Sequence, residues 1–296
     1  MAEEEQRGFV FHTPQGEQEL SIGEVMKLAS EGDPDGLYAL GMAHLFGWDI
    51  EQNEGLGYKY LEEASDKGQT EAMNLLVSMF MKGEYDGMDS EKAAGLAIRA
   101  AKDGIPESQL YAGLAYMDGV GVQQDYREAA RLFRLAANQG NDEARTDLAF
   151  LFQQGLGVEK DVSKGFKMYR TAAKNGNLNA MFHLAICYEY GTGTDLDLDK
   201  AVEWYTKGSD AGDPFASERL AYLIMDGYNN VPADQPKGFE LFLKAANSGI
   251  AGSMFMVGYC YVNGFGVDPD MGEAKKWLKM ASDSGIQEAK ELLDKL

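Results

Sequence analysis

Catalysis needs particular side chains at particular spacings, and this sequence offers few of them. Its histidines are His12, His44 and His183. His183 and Cys187 stand one helical turn apart, a spacing at which two side chains can share a metal, but the pair would need further ligands from elsewhere. The stretch Gly119-Val120-Gly121-Val122 has the glycines of a phosphate loop without the following Lys-Ser/Thr or a preceding strand, so a P-loop is excluded. Asp195-Leu196-Asp197-Leu198-Asp199 alternates carboxylates but lacks the Gly and distal Glu of a calcium loop, and reads as a solvated helix cap. Neither Ser-x-x-Lys nor Gly-x-Ser-x-Gly occurs. The expectation is a chain with no catalytic residue, no metal site and no cofactor.

The elements that would position any site come from a repeat of 36 residues. Residues 105–140 carry Ser108, Ala112-Gly113, Tyr116, Gly119-Val120-Gly121-Val122, Asp125, Ala129, Leu132-Phe133, Ala136-Ala137 and Gly140, and residues 141–176 return the same types in phase. The frame gives seven units: 33–68, 69–104, 105–140, 141–176, 177–212, 213–249 with one extra residue, and 250–285. Each reads as two helices. In the first, small or apolar residues such as Ser253, Val257, Gly258 and Tyr261 line one face. A Gly-x-Gly-Val turn follows, with glycines where positive φ is needed. Asp125, Asp161 or Asp270 then caps a second helix that buries Tyr169, Trp204-Tyr205 or Trp277-Leu278 and stops at a C′ glycine. The turns at Gly47–Ile50, Gly83–Gly87 and Gly227–Pro232 depart from this form, which leaves their loop conformation open.

These residues resemble the Sel1-like repeat, a relative of the tetratricopeptide repeat, over about residues 33–285. The resemblance implies an all-α fold, a right-handed α-solenoid of helix-turn-helix repeats with capping helices at both ends. Residues 1–32 are expected to give a short hairpin around Pro14-Gln15-Gly16 and a capping helix from Ile22 to Ser30, and residues 286–296 a C-terminal cap. With no linker between repeats, one continuous stack is expected rather than two domains.

The repeat frame also decides the candidate chemical groups. His44 falls where other units have Tyr116, Phe152 or Tyr261, so it reads as core-facing. Cys187 and Cys260 share a slot held elsewhere by Ala43, Met79, Ala115, Leu151 and Leu223, and read as small core hydrophobes. Two cysteines are too few for a disulfide framework.

In the tetratricopeptide architecture the first helices line a concave face, and the resemblance transfers this to positions +2, +6, +9 and +10 from the first small residue. The candidate partner-binding residues are Tyr38, Met42, Phe46, Met81, Leu114, Met117, Phe150, Gln154, Phe182, Ile186, Glu189, Tyr190, Tyr222, Met225, Asp226, Phe255 and Tyr259. Phe46, Met81, Met117, Tyr190 and Met225, at +9 and +10, have the least structural reason to be large and apolar. Such a face suits an extended or helical peptide with apolar anchors.

Charge narrows the partner. Lys+Arg 27 against Asp+Glu 48 gives a net charge of −21, which repels nucleic acid and anionic membranes and attracts a basic protein. No apolar run reaches the length of a membrane span, so membrane insertion is not expected, and Met1–Arg7 has no signal-like pattern, which places the chain in the cytoplasm. The function expected is a non-enzymatic adaptor that binds a partner protein or peptide, basic and with apolar anchors. Two alternatives stand beside it: a hydrolase of the β-lactamase-like kind attributed to some Sel1-like proteins, and an acidic inhibitor or mimic. Self-association is a further way to cover exposed apolar residues.

Overall fold

The computed structural model describes the backbone of residues 9–13, 16–229 and 231–296, and side chains from residue 19 onward except at 230. Met1–Arg7, Pro14, Gln15 and the His12 side chain lie outside the described residues. Two strands, β1 (Phe9–Thr13) and β2 (Gly16–Leu20), pair antiparallel with Phe9 opposite Leu20 and Thr13 opposite Gly16. Helices follow: α1 (Ile22–Ser30), α2 (Pro34–Phe46), α3 (Glu54–Asp66), α4 (Thr70–Met81), α5 (Ser90–Ala100), α6 (Pro106–Asp118), α7 (Tyr126–Asn138) and α8 (Asp142–Gln154). The remainder are α9 (Val162–Lys174), α10 (Leu178–Tyr190), α11 (Leu198–Asp210), α12 (Pro214–Asp226), α13 (Gln235–Asn247), α14 (Ala251–Asn263), α15 (Met271–Asp283) and α16 (Gln287–Leu293). From α2 to α15 they form seven helix pairs, with α1 before and α16 after.

The helix pair α6–α7 shows why the sequence folds this way. Gly119 takes φ 69° and its N–H bonds Ala115 O at 2.9 Å, closing α6 in a left-handed cap. Asp125 then accepts from the N–H groups of Arg127 and Glu128, satisfying free donors at the start of α7. Along α7, Ala129, Ala130, Leu132, Phe133, Ala136 and Ala137 recur at helical spacing and are all buried. The helix ends in a Schellman motif, with Asn141 N–H to Ala136 O at 3.1 Å and Gly140 N–H to Ala137 O at 3.1 Å.

The chain packs as two compact units, each described by itself. The first ends at Ala144 and also holds Leu156–Val158; the second runs from Arg145 to Gly155 and from Glu159 to Leu296. In each, the solenoid core is built on small-to-large contacts between paired helices. In the first unit Leu61 of α3 lies over Gly41 of α2, and Phe133 of α7 over Gly113 of α6, so close that an added Cβ would sit 3.0 and 2.5 Å from them. In the second, Leu278 of α15 covers Gly258 of α14 in the same way. Tyr169, Tyr205 and Phe242 fill the corresponding slot of α9, α11 and α13 and are fully buried.

The turns follow a related rule. Gly193, the second glycine of its turn, has φ 76° and backs onto the first turn of α9, where a Cβ would lie 2.2 Å from Val162 O. The turns that lack this glycine keep its left-handed backbone with the residue types that tolerate it best, Asp49 at φ 54° and Asn229 at φ 47°. In the Gly83–Gly87 turn, Tyr85 folds inward instead, stacked on Tyr58 at 4.5 Å with its hydroxyl donating to Glu62 at 2.7 Å. No helix among the described residues is long and apolar enough to cross a membrane.

Candidate partner-binding surface

In the first unit, first-helix positions +9 and +10 have different fates. Position +10 is exposed, as Phe46, Lys82 and Asp118, whereas at +9 Leu45 is only 5% exposed. The reason is local: the +9 side chain points at a small residue of the following helix, and a Cβ on Gly57 would meet Leu45 at 2.6 Å. Phe46 stacks on Trp48 of the turn, ring centroids 5.2 Å apart, and remains half exposed. Tyr38, Met42 and Met117 are half-buried. Met81, opposite Ala93 rather than glycine, stays 54% exposed and meets half-buried Leu114 at an apolar cleft of about 90 Å³ between α4, α5 and α6.

The second unit places the same positions around an ion pair. The Glu189 carboxylate, at +9, accepts from the Tyr205 hydroxyl at 2.6 Å and from the Arg219 guanidinium of α12. Arg219 also donates to the Tyr190 hydroxyl at 2.6 Å, so the exposed Tyr190 ring is held by a side chain from the next first helix. Burial disfavours the Arg219 charge, but the Glu189 carboxylate together with the Tyr205 and Tyr190 hydroxyls outweighs it and the guanidinium pKa is raised. Burial, joined by the bond to Glu189, likewise pushes the Tyr205 hydroxyl pKa up. Phe182 lies 6.2 Å from the exposed ring of Phe215, and Tyr222, partly exposed, meets buried Phe242 edge-on at 4.8 Å. Phe255, Tyr259 and Phe265 form a chain of rings at 6.1 and 5.9 Å. Phe150, Gln154 and Asp226 are exposed, and Ile186 is half-buried against the core.

Met225 corrects the sequence reading. It was expected as an exposed anchor, and it is 8% exposed in the core. Gly238 of α13 offers no side chain, and Met225 fills that space, 2.9 Å from where a Cβ would be. Glu189 is also less available than expected, its side chain 10% exposed and committed to Arg219. The sequence reading missed Trp48, Val120 and Phe265, which sit in the middle of the turns, and Phe215 and Arg219. The turn residues had a signal, a large apolar side chain where the turn needs none. Arg219 had none, because its partner lies 30 residues away.

The other reactive types are structural. His44 stacks on Tyr60 at 5.7 Å and His183 on Tyr169 at 5.0 Å. Burial drives the Cys187 and Cys260 thiols up to about 11, so neither is a nucleophile near neutrality. Asp197 caps α11 by accepting from Lys200 N–H, as a solvated cap should. Among the described residues no group of three or more His, Cys, Asp and Glu could hold a metal ion.

His183 makes stability pH-dependent. Burial, partly opposed by Asp213, lowers its pKa from the ordinary 6.5. The unfolded chain therefore binds the proton first, so the contribution of neutral His183 is full above 6.5 and is lost as pH falls below it. Between pH of about 7.5 and 5.5 the thermal midpoint of the wild type is expected to fall more than that of His183→Asn. Parallel melting curves at each pH would refute this.

A family model described as the Sel1 repeat matches residues 34–69, 106–141, 142–177, 178–213, 214–250 and 251–286. Between the matched repeats, residues 70–105 are left out; they hold α4 and α5, with the divergent turn between them. Among solved structures, a Sel1 repeat protein from Oxalobacter formigenes has TM-score 0.77 and 27% identity, covering 93% of this chain and 79% of that one. The protective antigen c5321 of uropathogenic Escherichia coli, with an SLR fold, has TM-score 0.55 and 24% identity over 92% of this chain and 73% of that one. The immunity protein Pa5087 of Pseudomonas aeruginosa has TM-score 0.51 and 17% identity over 73% and 82%. The last two show likeness of fold alone. No curated protein matches the chain.

Proposed function

The chain belongs to the Sel1 repeat family, whose repeats serve in general as protein-interaction surfaces, and from this premise we propose that it is a non-enzymatic module that binds a basic partner protein or peptide through its first helices. The observation that carries the reading is the row of exposed rings on α10, α12 and α14: Tyr190, Phe215, Tyr222 and Tyr259. Solvent-exposed aromatic side chains at successive equivalent helices are expensive to keep unless something covers them, and tyrosine supplies contact area at little entropic cost. The net charge of −21 favours partners with lysine or arginine beside their apolar anchors. The seven-unit frame from 33 to 285 supplies the scaffold, and the acidic +10 residues Asp118 and Asp226 supply attraction.

The test is binding to an array of cationic peptides, each with one or two aromatic or leucine residues, using wild type and Tyr190→Ala/Tyr222→Ala. Truncating two exposed anchors is expected to weaken capture by about 10–100-fold while far-UV circular dichroism is unchanged. Raising salt should weaken wild-type binding further. Equal binding by the variant, or no preference for cationic over anionic peptides, would overturn the reading. So would turnover of a chromogenic β-lactam that scales with protein through stringent purification.

A further inference from the structure

The polar network on α10, α11 and α12 is one that the repeat does not need. At the place of Glu189 the other first helices carry Leu45, Met81, Met117, Gln153, Met225 and Val262, none of them charged. At the place of Arg219 they carry Ala39, Leu75, Tyr111, Asp147, His183 and Met256, so arginine stands there in the sixth repeat alone. The slot of Tyr205 takes Leu61, Phe133, Phe242 or Leu278 in other pairs, without a hydroxyl. Packing therefore asks for neither the ion pair nor the hydroxyl. Holding a carboxylate at 10% exposure also costs desolvation that an apolar residue at the same place would not incur.

What the network supports at its outer end is Tyr190. Tyr205 donates to Glu189 at 2.6 Å, Arg219 donates to Glu189, and the same Nη2 group donates to the Tyr190 hydroxyl oxygen at 2.6 Å. Exposure rises along these bonds, from buried Tyr205 through Glu189 at 10% and Arg219 at 35% to Tyr190 at 61%. An exposed side chain ordinarily loses rotamer freedom when a partner covers it, and a ring already tethered to a guanidinium loses less. The Tyr190 oxygen accepts from a cation, so a second cation is disfavoured there, and what the group offers outward is its O–H proton. The main chain of a basic segment supplies acceptor oxygens whatever its side chains. Glu189 cancels the Arg219 charge, so the pair does not repel such a segment as it approaches. Phe215 and Tyr222, four residues before Arg219 and three after it, put two more exposed rings on the same face of α12.

Resting on the reading of the first helices as the binding face, we propose that Arg219 is a positioning residue for it: Arg219 fixes the Tyr190 ring before a partner arrives and directs the Tyr190 hydroxyl to donate to a main-chain carbonyl oxygen of the bound segment. The probe is acetyl-Lys-Leu-Lys-Phe-Lys-Leu-Lys amide, titrated into the full chain by calorimetry. Tyr190→Phe keeps the ring and loses the hydroxyl, and is expected to bind about 3–10-fold more weakly than wild type. Arg219→Met combined with Glu189→Gln removes the tether without stranding a charge and is expected to lose a similar factor. With all three substitutions the loss should be smaller than the product of the two factors, whereas a merely structural effect of Arg219 would multiply. If the Arg219/Glu189 variant loses helicity, Arg219→Lys, which keeps a charge opposite Glu189 without the guanidinium fork, makes the same comparison. Esters placed one at a time in the peptide backbone weaken its carbonyls as acceptors, and one position should weaken binding to wild type but not to Tyr190→Phe. Wild-type affinity in Tyr190→Phe, full multiplication of the two factors, or no such ester position overturns the proposal. If Tyr190→Ala/Tyr222→Ala loses binding while Tyr190→Phe does not, the wider reading stands and this one falls. No saturable binding by wild type also overturns it, and the peptide array then decides whether the wider reading falls too.

Discussion

Replacing Gly193 by alanine is expected to destabilise the chain by about 2–4 kcal/mol. Two costs add. The left-handed backbone, at φ 76°, disfavours any residue with a Cβ by about 1–2 kcal/mol. The new methyl would also sit 2.2 Å from Val162 O and 2.7 Å from Val162 C, and backbone at the start of α9 cannot rotate aside as a side chain can. Gly191 in the same turn is the control. It has φ 68°, but its nearest backbone neighbour, Leu196 N, is 3.3 Å from where a Cβ would stand. Gly191→Ala should therefore lose only the conformational part, about 1–2 kcal/mol. Urea denaturation of the two variants decides the matter. Equal losses would mean that the approach of the turn to α9 is not what fixes this glycine.

Tyr205→Ala is expected to cost about 3–5 kcal/mol, because it empties a fully buried ring site that the surrounding helices cannot collapse to fill. Tyr205→Phe separates the ring from the hydroxyl. It keeps the packing and removes the bond to Glu189, leaving a carboxylate of 10% exposure with one donor fewer, at a cost of about 1–2 kcal/mol. Tyr169 provides the contrast. It fills the same slot of α9, but its hydroxyl is buried without a partner, so Tyr169→Phe should be neutral or stabilising. A double-mutant cycle of Tyr205→Phe with Glu189→Gln would measure the coupling directly. If Tyr205→Phe and Tyr169→Phe behave alike, the bond from the Tyr205 hydroxyl to Glu189 adds nothing to stability.

What could be read directly was everything encoded by neighbours along the chain. Asp125, Asp161 and Asp270 each accept from backbone N–H groups one turn on, and Gly119, Gly140 and Gly264 take positive φ, because capping and turn chemistry depend on a few consecutive residues. The burial of Cys187 and Cys260 followed from the repeat frame alone, since equivalent positions of a repeat meet equivalent surroundings.

The surface was less legible, because equivalence ends where the opposing residue changes. Position +9 looked like surface, yet Met225 is buried against Gly238, while Met81, facing Ala93, is exposed. The sequence contained both glycine and alanine; only the approach of the helices made them decisive. The pairing of Arg219 with Glu189 and Tyr190, and the cleft between α4, α5 and α6, likewise join residues from different helix pairs. Helical periodicity specifies which face of a helix turns inward, and so the sequence by itself determined the repeat, its caps and its core. Which large side chains stay in solvent depends on the volume and charge of residues on the helices that follow, and that was decided only when the tertiary structure brought them within a few ångströms.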